Sequence, residues 1–419
     1  MTEFDNTPAP SQTGRAEGHV FHQHFSVSFD YPVYFTRGLF APDNNLLLDV
    51  LERLGEKRVH RAAVFIDAGL AAAWPQLSAA VVEYFHARAG RAELALPPQL
   101  VRGGEDAKQS WDLVRSVMSS LGNAHLDRQS YVIAIGGGAV LDMVGFAASL
   151  VHRGLRLVRL PSTTLAQDDA GVGVKTGMNE HGAKNFVGTF APPFAVLNDF
   201  DLLTTLSGRD WTAGLAEAFK VALIKDAALL EVLCAQAAAL AARDAAAMEE
   251  IIRRTAILHL EHIRDGGDPF ETGSARPLDF GHWAAHKIET MTAYAVGHGQ
   301  AVAIGIAIDL HCAMSQGLIT PAEFDRVLAA MIACGLPVWD ACLARRTDQG
   351  ELEILEGLRQ FQEHLGGTLT ITLPDGLGRK CEVHHMDAGR IENALAWLSR
   401  RDREITNDTN GSNGSKRKA

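Results

Sequence analysis

The chain has 419 residues, with 39 Lys plus Arg against 50 Asp plus Glu and a formal net charge of −11. Apolar residues make up 47% and charged residues 21%, which is the composition of a chain that folds around a core. The acidic balance counts against a general nucleic-acid binder, no apolar run is long enough to span a bilayer, and five cysteines without a CxxC pair read as reduced thiols of a cytoplasmic protein.

Residues 1–20 lack a signal-peptide apolar stretch and read as a disordered tail. From 21 to 206, strand-like and helix-like segments alternate. Val64-Phe65-Ile66 is a strand ending at Asp67, and a helix follows over Leu77 to Ala89. Tyr131 to Ile135 is a second strand, broken by Gly136-Gly137-Gly138 before a helix over Leu141 to Leu150. Leu155 to Leu160 is a third strand, stopped by Pro161. Such alternation predicts βαβ units, a parallel sheet and an α/β fold. The boundary falls near Leu206-Ser207-Gly208. From 207 to 404 Ala/Leu-rich helical patterns dominate, Ala235 to Ile252 being the clearest. Thr368 to Leu373 alternates as a late strand would, and Ala388 to Leu398 reads as the last helix. Residues 405–419, Asn/Gly/Ser-rich and ending Lys416-Arg417-Lys418, read as a second tail.

Three groups of residues can carry chemistry. The glycine run 136–138, between strand and helix, lets a phosphate approach the backbone, although a tight turn has the same pattern. Asp67 at a strand end suits a ribose hydroxyl or an ordinary helix N-cap. Ser162, Thr163, Asp169, Lys175, Lys184 and Asn185 crowd the segments after the third strand, as a polyhydroxylated, anionic ligand or a polar surface loop would have them. Glu217, His282, His286 and His298 form the third group. His282 and His286 share a helix face, and a Glu with two His makes a three-ligand divalent site with an open position.

In this order, the motifs resemble the 3-dehydroquinate synthase family of sugar phosphate cyclases. The segments that carry the resemblance are GGGxxxD ending at Asp142, Gly104-Glu105-x-x-Lys108, the Pro-x-Thr-Thr segment with Asp169 and Lys175, and Gly-x-Lys184-Asn185. Ala216-Glu217-x-x-Lys220, Gly281-His282-x-x-x-His286 and His298-Gly299 complete them. The resemblance implies a Rossmann-like N-terminal NAD domain and an all-α C-terminal metal domain. Glu217, His282 and His298 would hold Zn2+ or Co2+. Asp67, Glu105, Lys108, Gly137, Gly138, Asp142, Ser162, Thr163, Lys184 and Thr205 would bind NAD. Lys175, Lys220, Asp169, Asn185 and His286 would line the substrate pocket. Arg153 matches an arginine lent to the neighbouring subunit's phosphate site, which implies a homodimer. The implied chemistry is transient oxidation by NAD, phosphate β-elimination, re-reduction and aldol ring closure of a sugar phosphate.

Several family positions differ. Gly-Gly-Lys is here Gly173-Val174-Lys175, and the Asn before the first metal His is Asp279. Arg276 stands three residues before Asp279 instead of four, and a family Lys aligns with His259. Glu363-His364-Leu365-Gly366-Gly367 replaces an Asp-Lys-Lys segment. These changes fall where the family grips carboxylate and phosphate, so a substrate other than the shikimate-pathway one is expected, such as a sugar phosphate lacking the carboxylate. Two rivals share much of the pattern. One is a zinc- or iron-dependent polyol dehydrogenase of the glycerol type, disfavoured by Glu217 with Lys220. The other is a non-catalytic binding protein, disfavoured by the intact ligand set.

Overall fold

The computed structural model describes Val20 and residues 22–181, 183–266, 270, 277–364 and 367–415, with the backbone alone at 277, 364 and 406–415. The tail predicted over 1–20 (Val20 apart), Gly182, Arg276 and the basic tip at 416–418 lie outside the described residues. The segment ending at Asp30 forms a unit of its own, and its Phe25, Val27 and Phe29 are exposed.

The second unit starts at Tyr31. It opens with β1 (Val33–Thr36), α1 (Leu46–Glu52), β2 (His60–Asp67), α2 (Ala68–Ala73), α3 (Leu77–His86), β3 (Ala92–Leu94) and β4 (Gln99–Val101). Next come α4 (Trp111–Asn123), β5 (Tyr131–Gly136), α5 (Gly138–Leu150), β6 (Arg156–Pro161), the hairpin β7 (Lys175–Glu180) and β8 (Ala183–Phe190), and β9 (Ala195–Asp199). The main sheet runs β1-β9-β6-β5-β2-β3 with β4 also on β2, and every pairing is parallel. The continuous apolar run of β5 is explained by burial on both faces. Ala62, Val64 and Ile66 of β2 join one core, while Ala63 and Phe65 join another on the opposite face. The α/β reading therefore holds, and the chain reverses its direction across the sheet between β2 and β5.

From Gly208 the chain is mainly helical. It contains α6 (Gly208–Lys225), α7 (Ala227–Ala241), α8 (Ala245–Asp265), α9 (His282–Met291), α10 (His298–Ser315), α11 (Pro321–Ala333), α12 (Glu356–His364) and α13 (Ala388–Ser415). Ser207 caps α6 by accepting from Asp210 N, at the boundary expected from the sequence. Helix α10 is buried all round from Ala301 to Ala313, the mark of a central core helix.

Three expectations are corrected. Ala235–Ile252 is not one helix: Arg243 takes a left-handed φ of 64° and Asp244 caps α8 by accepting from Ala247 N. An Asp before an Ala-rich run was the missed signal. The C-terminal half is not all-α, because β10 (Ile371–Pro374) and β11 (Lys380–Val383) pair antiparallel. Their turn is made by Gly376 and Gly378, both at positive φ. Finally, α13 continues through Ser415, across most of the tail expected at 405–419. Buried Ile391, Ala394, Leu395 and Leu398 secure its start, and each further residue then adds a hydrogen bond without a new nucleation step.

Candidate active site

The first cluster sits where β2 and β5 end, at the switch point that open parallel sheets use for ligands. The N-cap reading of Asp67 holds. Its Oδ1 caps α2, accepting from Gly69 N at 2.7 Å, and the residue lines an open cavity of about 480 Å³ with Gly69, Gly103 and Gly104. A Cβ on Gly136 would lie 2.8 Å from Val140 Cβ and 3.2 Å from Asp67 Cβ, so the two strand ends close only over a glycine. Gly137 and Gly138 then open α5, whose first N–H groups are available to an anion.

Around this turn the predicted residues are tied together. Ser162 N donates to Gly136 O at 2.9 Å, and Thr163 Oγ1 accepts from Ala166 N at 3.1 Å. Lys108 Nζ donates to Asp142 Oδ2 at 2.5 Å and also to Asn185 Oδ1. Asn179, which the sequence reading missed, donates to Glu105 Oε1 at 2.7 Å and accepts from Asn185 N at 2.9 Å. Thr205 stands outside this network, its hydroxyl donating to Leu202 O in its own turn.

The second cluster is built by three helices. Glu217 lies on α6, His282 is the first residue of α9, and His298 is the first of α10. Their ligand atoms all fall within 4.8 Å of one another. His282 Nε2 is 3.9 Å and His298 Nε2 3.8 Å from Glu217 Oε1, a buried oxygen without a hydrogen-bond partner. Leaving such an oxygen unpaired is costly, and one carboxylate with two imidazoles is a donor set for Zn2+. Burial, then the Lys220 charge, push the His282 pKa well below the usual value, so its ring is the neutral ligand form. His282 Nδ1 faces Phe280 O at 3.1 Å, which leaves Nε2 for Glu217's side. The residues present therefore fit a divalent ion.

Glu217 Oε2 pairs with the Lys220 ammonium. Burial would lower the Lys220 pKa, but the Glu217 and Asp169 charges outweigh it and hold it at about 12. His298 Nδ1 meets Glu289 Oε2 at 3.1 Å, and Lys184 Nζ donates to Glu289 Oε1 at 2.6 Å. Burial would raise the Glu289 carboxyl, but the His298 and Lys184 charges hold it well below the usual range. Glu289 was missed, although it lies at i+7 from His282 on the same helix face as His286. His286 completes that face, its ring 5.5 Å from His282 and stacked 6.2 Å from His298.

Adjacent residues of β8 join the two clusters. Asn185 bonds to the Lys108–Asp142 pair, whereas Lys184, expected among the NAD residues, bonds beside the metal triad. In the substrate group, Asp169 Oδ1 is 3.0 Å from His259 Nδ1. Burial would raise Asp169, yet the Lys220 charge and the His259 bond hold its pKa far below the usual range. Lys175 begins β7, and its carbonyl accepts from the buried Arg159 at 3.0 Å. An arginine inside an apolar strand was the signal for Arg159. Arg153 is exposed in the turn after α5, at φ 68°.

The family model for the 3-dehydroquinate synthase N-terminal domain matches residues 99–213, and the C-terminal model matches 214–352. A 2-epi-valiolone synthase of Actinosynnema mirum is 34% identical over 402 residues, 94% of this chain and 97% of that protein. The chain belongs to the 3-dehydroquinate synthase family.

Within the family, the 3-dehydroquinate synthase of Paracoccus denitrificans is 35% identical over 71% of this chain and 81% of its own. The solved 2-epi-5-epi-valiolone synthase of Streptomyces hygroscopicus subsp. jinggangensis 5008, with NAD+ and Zn2+ bound, superposes at TM-score 0.79. It is 30% identical and covers 91% of this chain and 100% of its own. A probable glycerol dehydrogenase of Sinorhizobium meliloti 1021 matches at TM-score 0.56 and 17% identity, over 89% of this chain and 98% of its own. That likeness shows a shared fold alone. The family resemblance and the two-part architecture are thus borne out.

Proposed function

We infer that this protein is a sugar phosphate cyclase that closes a seven-carbon sugar phosphate lacking a carboxylate into a valiolone-type ring. The observation that carries the substrate reading is His259 closed on Asp169 where the family has a lysine. Asp279 adds a second negative group beside an anion-binding pocket, and a carboxylate-bearing ligand is disfavoured by both changes. The near full-length likeness to a 2-epi-valiolone synthase agrees.

NAD+ bound at the glycine turn would take up and return a hydride, and Zn2+ held by Glu217, His282 and His298 would polarise the oxygen being oxidised. The chain's own side chains arrange the rest. Lys220 stays cationic at neutral pH and offers a fixed positive charge to the phosphate-bearing substrate. Asp169 stays ionised and can accept a sugar hydroxyl. Arg159 fixes the backbone from which Lys175 projects by holding the carbonyls of Gly173 and Lys175. Placement of this kind matters because a shift of about 1 Å can cost roughly 10²-fold in rate.

A homodimer accompanies this reading. Arg153 is exposed, and so are Leu150, Phe186 and Phe190. Ser149 and Thr189 hydroxyls, 2.9 Å apart, tie the end of α5 to β8. Exposed large apolar side chains of this kind are what a second copy would cover. The five unpaired cysteines fit a reducing compartment, the cytoplasm, and no described helix is long and apolar enough to cross a membrane.

The test is a phosphate-release screen over seven-carbon sugar phosphates with NAD+ and Zn2+, the product identified by NMR. Phosphate release without net NADH is expected. Net NADH from a polyol would mean a dehydrogenase. Turnover of the shikimate-pathway substrate at an ordinary enzymatic rate would sink the substrate reading. Stoichiometric NAD+ and zinc binding with no turnover of any sugar phosphate would leave a binding protein.

A further inference from the structure

Helices α9 and α10 each begin with one of the histidines of the metal triad. They meet at Gly281 and Gly305, where backbone lies against backbone. A Cβ on Gly305 would come 2.0 Å from Gly281 O, and one on Gly281 would come 2.9 Å from Ile306 N. Gly281 itself takes φ +78°. One turn further along α10, Asp309 is fully buried at 0% exposure. Its Oδ2 accepts from Gly281 N at 3.0 Å, and its Oδ1 accepts from the Trp283 indole Nε1 at 2.8 Å. These two donors belong to the residues on either side of His282. Trp283 is itself 1% exposed, so its ring has no freedom to follow a different helix start.

We propose that Asp309 is a positioning residue for the metal centre, holding the first turn of α9 by its two flanking donors and so fixing where the His282 imidazole points. The inference rests on reading Glu217, His282 and His298 as the ligands. It has a geometric basis. Gly305 sets the distance between the helices, and Asp309 sets the rotation of the α9 start. His298 and Asp309 share one rigid helix, so the bite between the two imidazoles is set within one helix pair. A carboxyl group suits the place because both arriving groups are donors and each of its oxygens accepts one of them. An amide in its place would turn an N–H toward one of them.

The experiment uses the full chain stripped of metal, with zinc titrated against a competing chelator. Asp309→Asn is expected to weaken zinc binding by about 10–100-fold, the usual effect of groups that orient metal ligands. Trp283→Phe, which keeps the Gly281 bond, is expected to give a smaller loss in the same direction. NAD+ affinity and the far-UV circular dichroism should stay as in the wild type, and excess zinc should restore phosphate release. Cobalt(II) in Asp309→Asn should show an altered visible spectrum. Unchanged zinc affinity in both variants overturns the proposal, as does an equal loss of zinc and NAD+ binding, which would mark general destabilisation. Should Asp309→Asn fail to fold, Trp283→Phe decides alone. His282→Ala separates the two readings. If it keeps stoichiometric zinc, the ligand reading falls and this inference with it. If it loses zinc while Asp309→Asn binds normally, only this inference falls.

Discussion

His259 on α8 and Asp169 beyond β6 are brought within 3.0 Å, Nδ1 to Oδ1, from opposite halves of the chain. The pair ties the carboxylate that faces Lys220 to a helix of the C-terminal half. Removing the imidazole should free Asp169 to swing. His259→Ala is expected to lower kcat/KM by about 10–100-fold, since a bond to a charged group is worth roughly 1.5–3 kcal/mol. Steady-state phosphate release, with zinc content by elemental analysis unchanged, checks it.

Glu217→Gln leaves the buried site with an amide where the ion needs a charged oxygen. Zinc content should fall from about one equivalent to near zero, and phosphate release should be lost. NAD+ binding by calorimetry should persist, because the glycine turn belongs to the sheet. Chelator treatment of the wild type should reproduce the inactivation, and added Zn2+ or Co2+ should reverse it.

Gly136→Ala places a methyl 2.8 Å from Val140 Cβ and near Asp67. The strand ends must part to admit it. A loss of NAD+ affinity of at least tenfold is expected, with a stability cost of about 1–3 kcal/mol from overpacking. Calorimetric titration and urea unfolding measure the two effects separately.

Arg153→Ala and Glu217→Gln should each be inactive as pure dimers. If Arg153 serves the neighbouring subunit, mixing and refolding them together creates dimers with one intact site. Activity should then return to roughly a quarter of the wild-type level, by random pairing of subunits. No recovery on mixing would place Arg153 outside any shared site.

Burial raises the Asp309 carboxyl from 3.8 to about 7, against the lowering effect of the Trp283 and Gly281 bonds. Between those values the folded chain holds a proton that the unfolded chain has released. Stability from this group is therefore full below about pH 4 and is lost as pH rises toward 7. In the metal-free protein, wild type should lose stability relative to Asp309→Asn across that window and run parallel to it above. Urea midpoints at pH 5, 6, 7 and 8 test the sign.

Much of the site was legible because its residue types are chemically restricted and closely spaced. The glycine run lies between a strand and a helix, and His282 with His286 declares a shared face without any tertiary information. Glu105, Lys108 and Asn185 were assigned by family resemblance, and the structure shows them bound into one network. What escaped depends on long-range approach. Glu289 becomes meaningful only when His298 arrives beside it, and Asp309 only when α10 crosses α9. The break between α7 and α8 escaped because helix formers lie on both sides of it, and a single Asp244 cap outweighs their propensity. The bond from Lys184 to Glu289 was not foreseeable, because consecutive strand residues point to opposite sides, and spacing alone does not say which of the two faces which cluster.

The packing of α9 against α10 separates what this fold must keep from what it is free to vary. The ligand frame lies in the core, between helices that approach through glycine. Positions that differ from the family lie outside the three ligand helices: Val174, buried in the loop before β7, His259 on a half-buried face of α8, and Asp279 in the turn before α9. If the sugar is chosen at these three positions, as proposed, one substrate can give way to another while the paired helices that carry the two imidazoles stay as they are.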